Sequence, residues 1–374
     1  MRVNMRRNII LAFDIAKNWS AYIFGFPRPI PVGYVIISTT YACNAKCKMC
    51  NLHEFYDKQP DLFQKELDLT SVYEALNNSS VMRTVRHIDL TGGEPFLKNG
   101  LKHFINKLYE LPSVDLVSIN TNGLLSNRII SNVAWILENI KKNQRFSLSI
   151  SIDGIGGLHD SIRGVPGAFG KIEQTVAGLS DLQARYPQFK LRSNAVIQPA
   201  NIDALEPIKA YWKKNNIAGA FSVIQTPFYT HSSAQKYNDI REFSEDQLSI
   251  IKSANPKSRG MNDYLNRGCI RPLHCFAGVA SMCMDPFGTL YPCNFLTGCE
   301  RYQLGTVLDC GIDSVWTSAQ SRAIRKSLRT CPHVHCWNGC EIDQTLIQFD
   351  AVDRMMRMLS CGLAGYYRLR GLRM

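Results

Sequence analysis

The chain has 374 residues, 45% of them hydrophobic and 20% charged, with a formal net charge of +12; this balance argues against a disordered chain and suits one large domain with a smaller one. No uninterrupted apolar run approaches the roughly 20 residues that cross a bilayer, and the first stretch lacks a small-residue cleavage site, so the expected compartment is the cytoplasm. In a reducing cytosol, thirteen cysteines point to metal or redox chemistry rather than to a disulfide framework.

Residues 1–32 read as an amphipathic N-terminal segment in which Arg2, Arg6, Arg7 and Lys17 are interleaved with Ile9, Ile10, Phe13, Trp19 and Phe24. From 33 to 230, short β-rich runs alternate with longer amphipathic stretches, the pattern of a parallel sheet with crossover helices. Six strands are expected, at Tyr34–Ser38, His87–Leu90, Leu116–Asn120, Ser147–Ile152, Leu191–Ile197 and Phe221–Ile224. Helical spacing of apolar residues marks Leu101–Tyr109, Ile129–Ile140, Ile172–Leu182 and Ile202–Lys213. The expected fold class is therefore α/β, a curved or barrel-like sheet. Residues 231–262 read as a polar helical connector. Residues 263–349 change texture: ten of the thirteen cysteines fall between Cys269 and Cys361, amid short Gly- and Pro-punctuated pieces. Residues 350–374 form a second basic, amphipathic segment carrying Arg354, Arg357, Arg368, Arg370 and Arg373.

Cys43, Cys47 and Cys50 follow the first expected strand, so their sulfurs share one loop at its C-terminal edge, where parallel α/β folds build their sites. Three soft ligands at this spacing suit an iron–sulfur cluster with one open iron, or a zinc staple that borrows a distant fourth ligand. The second strand runs into Gly92-Gly93-Glu94-Pro95; two glycines let backbone approach a ligand closely, and Glu94 can accept from an ammonium group. Asn120, Asn122 and Gly123 close the third strand, and Ser151, Asp153, His159, Asp160 and Arg163 follow the fourth.

The cysteine triplet and the Gly-Gly-Glu-Pro turn resemble the radical SAM family. That resemblance implies a partial (β/α)6 TIM-like barrel and a [4Fe-4S] cluster on Cys43, Cys47 and Cys50. It also implies S-adenosylmethionine chelated to the open iron and split by one electron, supplied by a donor such as flavodoxin or ferredoxin, into a 5′-deoxyadenosyl radical that abstracts hydrogen from substrate. It places Gly92, Gly93 and Glu94 at the cofactor, with Asn122 lining the site, Ser151 and Asp153 facing ribose, Arg163 facing the ligand carboxylate and Met49 packing near adenine.

The later cysteines, with the hairpin-like Asp285–Cys293 run, resemble the SPASM or twitch extension of that family. The resemblance assigns one auxiliary iron–sulfur cluster to Cys269, Cys275, Cys293 and Cys340. A second would use Cys331, Cys336 and Cys361, with Cys310 or a substrate atom as fourth ligand, although one cysteine of that pattern is absent. Cys283 and Cys299 match no ligand position and read as small apolar residues. A zinc-ribbon module binding nucleic acid is the alternative of another class, favoured by the basic charge but lacking Cys-x2-Cys knuckles and aromatic–basic interleaving, so no nucleic acid is expected.

The two amphipathic ends suit either the face of an anionic membrane or packing against the barrel. A small-molecule, lipid or lipid-linked sugar substrate is the expectation. A peptide substrate is the alternative, weakened because some thirty residues precede the first strand, too few for a recognition domain, and because Asn294 follows the hairpin cysteine where sulfatase-maturing members carry an acid. Asn194, Gln198 and Gln225 are polar candidates on the fifth and sixth strands.

Overall fold

The computed structural model describes residues 31–50, 52–54, 59–224, 243–254, 265–266 and 275–328. Cys269, Cys331, Cys336, Cys340, Cys361 and Gln225, and all but residues 31–32 of the two amphipathic ends, lie outside these described residues. All six expected strands form: β1 Tyr34–Thr40, β2 His87–Gly92, β3 Leu116–Thr121, β4 Arg145–Ser151, β5 Phe189–Ile197 and β6 Ala218–Val223. Each pairs in parallel with the next. The connecting helices are α1 Leu69–Asn77, α2 Leu101–Leu108, α3 Ser126–Asn139, α4 Gly157–Arg163, α5 Ala168–Arg185 and α6 Leu205–Lys214. The result is the α/β, parallel-sheet architecture expected from the alternation of periods.

Alternation along the strands sorts the two faces. Val35, Ile37, Ile88, Leu90, Val117, Ile119, Phe146, Leu148 and Ile150 join one large buried cluster with the helices, the burial that drives the fold. The register places Asp89 beside Ser118, Ser118 beside Ser147, Asn120 beside Ser149 and Ser151 beside Asn194. The opposite face is thus largely polar, and Asp89 gathers several of its groups. Asp89, 6% exposed, accepts from Tyr34 Oη, Ser118 Oγ and Asn120 Nδ2.

After helix α7, Glu245–Ala254, which lies in the expected connector, the chain adds β7 Ser281–Met284, β8 Thr289–Tyr291 and β9 Gly305–Thr306. The β7–β8 hairpin turns at Asp285, whose Oδ1 accepts from the backbone of Phe287 and Thr289. β7 pairs in parallel with β1, so the described strands form one nine-stranded sheet in the order β6-β5-β4-β3-β2-β1-β7-β8-β9. Helices α8 Val307–Thr317 and α9 Ala319–Leu328 follow. Asp313 of α8 reaches back to the core, accepting from Ser79 Oγ, Ser80 Oγ and the backbone N–H groups of Ser80 and Val81.

The loop after β1 is fixed from three sides. Thr40 O and Ala42 O accept from Gly93 N at 2.7 Å and Glu94 N at 2.8 Å. A Cβ on Gly92 would sit 2.1 Å from Thr40 O, and one on Gly93 2.1 Å from Ala42 O. Glu66, whose side chain is 1% exposed, accepts from Thr40 Oγ1 and Tyr41 N and pairs with Lys98 at 2.8 Å. On the third side, Lys46 N and Lys48 N donate to Arg163 O and Ile162 O at the end of α4, satisfying carbonyls that a helix C-terminus leaves without intrahelical partners. Gly164, at φ 66°, ends that helix, and a Cβ there would lie 2.2 Å from Lys46 O.

Two outcomes follow for stability. Gly93→Ala forces the Ala42 carbonyl away and is expected to cost on the order of 2–3 kcal/mol in chemical denaturation. Asp313→Ala is expected to cost about 1–2 kcal/mol at neutral pH. Burial opposes the Asp313 charge, but the Ser79 and Ser80 hydrogen bonds outweigh it and hold the carboxyl below its ordinary value. Its contribution is therefore present above the unfolded-state pKa of about 4 and is lost as pH falls toward the depressed value, so the gap between the two proteins should close in acid.

Candidate functional site

Cys43, Cys47 and Cys50 face one cavity of about 370 Å³ at the C-terminal edge of the sheet. Cys50 N donates to Cys47 O at 3.0 Å, which tightens the loop. Cys47 is buried with Ala45, Leu124 and Ala168, and Cys43, Met49, Cys50 and Val165 pack against that cluster. Burial pushes the Cys43 thiol up to about 11 and the Cys50 thiol up to about 12. Without metal both are therefore protonated near neutral pH, and metal binding would release their protons. Among the described residues no three Cys, His, Asp or Glu side chains could together hold a single metal ion. All three cysteines of the loop line the same cavity, and three thiols are the donor set of an iron–sulfur cluster with one open iron.

Polar groups reach two of the sulfurs. Asn122 Nδ2 lies 3.8 Å from Cys43 Sγ and donates to Asn44 Oδ1 at 2.7 Å. Arg163 Nη1 lies 3.5 Å from Cys47 Sγ, and Arg163 Nη2 lies 2.5 Å from Asp153 Oδ2. Strand ends supply the rest of the wall: Thr91 from β2, Asn120 and Thr121 from β3, Ser151 from β4, Asn194 from β5 and Ser222 from β6. Asn194 Nδ2 donates to Ser222 Oγ at 2.8 Å. Met49, Val223 and Ile224 add apolar surface. No carboxylate belongs to the described lining, and its ionisable members besides the cysteines are Arg163 and His53.

Of the residues expected at the cofactor, Gly92, Gly93, Asn122, Ser151 and Arg163 line this cavity, whereas Glu94 and Asp153 do not. Glu94 is fully buried: Oε1 accepts from Phe96 N and Thr121 Oγ1, and Oε2 from Asn122 N. Its carboxylate thus ties β2 to β3. Burial pushes it up to about 7 against the pull of those donors. The two glycines likewise make room for the β1 loop. Asp153, also fully buried, accepts from Val196 N at Oδ1 and pairs with Arg163 through Oδ2, contacts that position it within the fold. Gln198 is buried outside the described lining, with its N–H on Asn201 Oδ1.

His53 and Phe295, which belong to no motif, carried no sequence signal, and Asn294 was marked only as the residue after the hairpin cysteine. Asn294 and Phe295 reach the cavity from the turn that follows Cys293. Their approach depends on the pairing of β7 with β1, which local patterning does not reveal. Cys275 and Cys293 flank the Gly278 N to Pro292 O hydrogen bond, 2.9 Å long. Cys283 is buried with Tyr34, Ile36 and Tyr291, as expected of a small apolar residue, and Cys299 packs partly buried against the main core. Cys310 is exposed. Among the described residues, no helix is long and apolar enough to cross a membrane. Glu94→Gln turns an amide N–H₂ toward one of three buried donors, and is expected to cost about 1–3 kcal/mol and to lower the iron retained per chain after gel filtration.

Comparisons with known proteins fit this geometry. A family model described as the radical SAM superfamily matches residues 37–187. Pre-heme d1 synthase of Dinoroseobacter shibae is 32% identical over 169 residues, 45% of this chain and 37% of that protein. The subtilosin biosynthesis protein AlbA of Bacillus subtilis, described as an antilisterial bacteriocin biosynthesis protein, is 22% identical over 296 residues, 78% of this chain and 60% of that protein. Both matches span less than two thirds of the relative's own length. The fold is similar to that of anSMEcpe with bound AdoMet and Cp18Cys peptide, with TM-score 0.55 at 19% identity, covering 83% of this chain and 85% of that one. The cysteine loop, the Gly-Gly-Glu turn and the parallel sheet that carries both therefore identify residues 37–187 as a radical SAM domain.

Proposed function

We propose that the protein binds a [4Fe-4S] cluster on Cys43, Cys47 and Cys50 and S-adenosylmethionine in the adjoining cavity, and acts on a small-molecule or membrane-associated substrate such as a lipid or lipid-linked sugar. The observation that carries this reading is three cysteine sulfurs from one loop facing a single cavity whose wall is otherwise hydroxyl, amide and apolar. When bound, the cluster supplies an open iron and one electron, by which S-adenosylmethionine yields a 5′-deoxyadenosyl radical that takes hydrogen from substrate.

The chain's own groups then have definable tasks. Arg163 offers a buried cation to a carboxylate, and its Nε has no hydrogen-bond partner among the described residues. Ser151, Asn194 and Ser222 present hydroxyl and amide groups suited to ribose, while Met49, Val223 and Ile224 form an apolar bed for adenine. The backbone of Gly92 and Gly93 forms the wall at the methionine end. Asn294 and Phe295 add an amide and an aromatic ring to the cavity wall, groups available to a substrate.

The wider reading retains one or two auxiliary clusters, the first on Cys269, Cys275, Cys293 and Cys340 and the second, absent in a twitch-type variant, on Cys331, Cys336 and Cys361, and a small redox protein such as flavodoxin or ferredoxin as electron donor. It places the protein in the cytoplasm, with residues 1–32 and 350–374 on the inner face of the membrane. A peptide substrate is the second reading. The similarity to AlbA across 78% of the chain and the fold shared with anSMEcpe favour it.

Anaerobically reconstituted protein should contain iron and sulfide and, under strong reductant, form 5′-deoxyadenosine from S-adenosylmethionine. Cys50→Ala should reduce that product at least 100-fold. Zinc in place of iron, with no cleavage, contradicts the reading. Full-length protein should bind anionic vesicles and release them in high salt; failure to bind removes the membrane-associated class of substrate.

A further inference from the structure

Arg163 and Asp153 form an ion pair with almost no contact with solvent: Asp153 is fully buried and Arg163 is 9% exposed. Each member is held from the backbone. Arg163 is the last residue of α4, whose terminal carbonyls accept from Lys46 N and Lys48 N, the residues on either side of Cys47. Asp153 Oδ1 accepts from Val196 N at 2.8 Å, Asp153 O accepts from Asn201 Nδ2 at 2.9 Å, and Asp153 N donates to His159 Nδ1 at 3.2 Å. The loop that carries the sulfur and the helix that carries the guanidinium are therefore laced together, and the guanidinium lies against Cys47 Sγ at 3.5 Å.

The pair is not symmetric with respect to that sulfur. The cation touches it through Nη1, whereas the carboxylate meets the guanidinium at Nη2. Charge in a water-excluded site acts strongly, and hydrogen bonds to cysteine sulfur together with local charge set the potential of an iron–sulfur centre.

We propose that the Asp153–Arg163 pair sets the reduction potential of the cluster through Cys47, with Arg163 raising the potential and Asp153 holding part of that increase back. The inference rests on the reading of Cys47 as a cluster ligand. Reduction adds one electron from an external one-electron donor, and the added negative charge is stabilised by the Arg163 cation and its N–H···S contact, with no proton required. Neutralising Asp153 leaves the cation uncompensated, so the two residues affect the potential in opposite directions. A merely structural pair has no reason to do so.

The test is a redox titration, followed by electron paramagnetic resonance, of reconstituted full-length protein without S-adenosylmethionine. The signal of interest is the one that disappears when Cys43, Cys47 and Cys50 are all changed to Ala. Arg163→Met should shift its midpoint to more negative potential, Asp153→Asn should shift it to less negative potential, and Arg163→Lys should fall between Arg163→Met and the parent. Shifts in the same direction, or unchanged midpoints at equal iron content, overturn the inference. If Arg163→Met fails to hold the cluster, the isosteric Asp153→Asn decides alone: an upward shift supports the proposal, and no shift or a downward one overturns it. Absence of any such signal in the parent protein instead sinks the cluster reading beneath it.

Discussion

Two backbone hydrogen bonds, Gly93 N to Thr40 O and Glu94 N to Ala42 O, hold the cysteine loop against the turn after β2, and the geometry of the cavity depends on them. They form because neither glycine has a Cβ; with one, the approach that brings those chains to 2.7 and 2.8 Å would clash with carbonyl oxygens. Glu94 completes the junction from below by accepting from Phe96, Thr121 and Asn122. Asn122, held there through its backbone, sends its side chain toward Cys43. One short turn therefore fixes β1, β2 and β3 relative to one another and sets one sulfur's surroundings.

The same economy operates on the other side of the loop. The C-terminus of α4 has carbonyls to satisfy, and the cysteine loop has N–H groups that would otherwise face a half-buried cleft. Their pairing satisfies both and positions Arg163 over Cys47. A buried ion pair is weak evidence for stability, since desolvation of both charges offsets much of their attraction. Its place against the Cys47 sulfur, proposed as a cluster ligand, makes better sense as electrostatics directed at that sulfur.

The sequence revealed those parts of the molecule that are local. Three cysteines within eight residues, a double glycine at a strand end and alternating apolar periods are readable because spacing alone places them, and the six strands form where they were expected. The orientation of Glu94 was not readable: whether a carboxylate turns toward a ligand or toward backbone donors depends on Thr121 and Asn122, more than twenty-five positions away. Asp153 posed the same difficulty, since Val196 and Arg163 claim its oxygens. Asn294 and Phe295 reach the cavity only because β7 pairs with β1 across some 245 residues of chain, a pairing that no local pattern encodes.

A face of hydroxyls and amides, three thiols on one loop and a buried guanidinium meet at one cavity, and the reading proposed for them requires a cluster with three protein ligands and one exchangeable iron. Mössbauer spectra of protein reconstituted with iron-57, recorded with and without S-adenosylmethionine, test that requirement most directly. The account predicts that one iron of the cluster on Cys43, Cys47 and Cys50 changes its isomer shift when the ligand is added, while its other irons stay as they were. Spectra identical in the two states, in protein that retains that cluster, would contradict it.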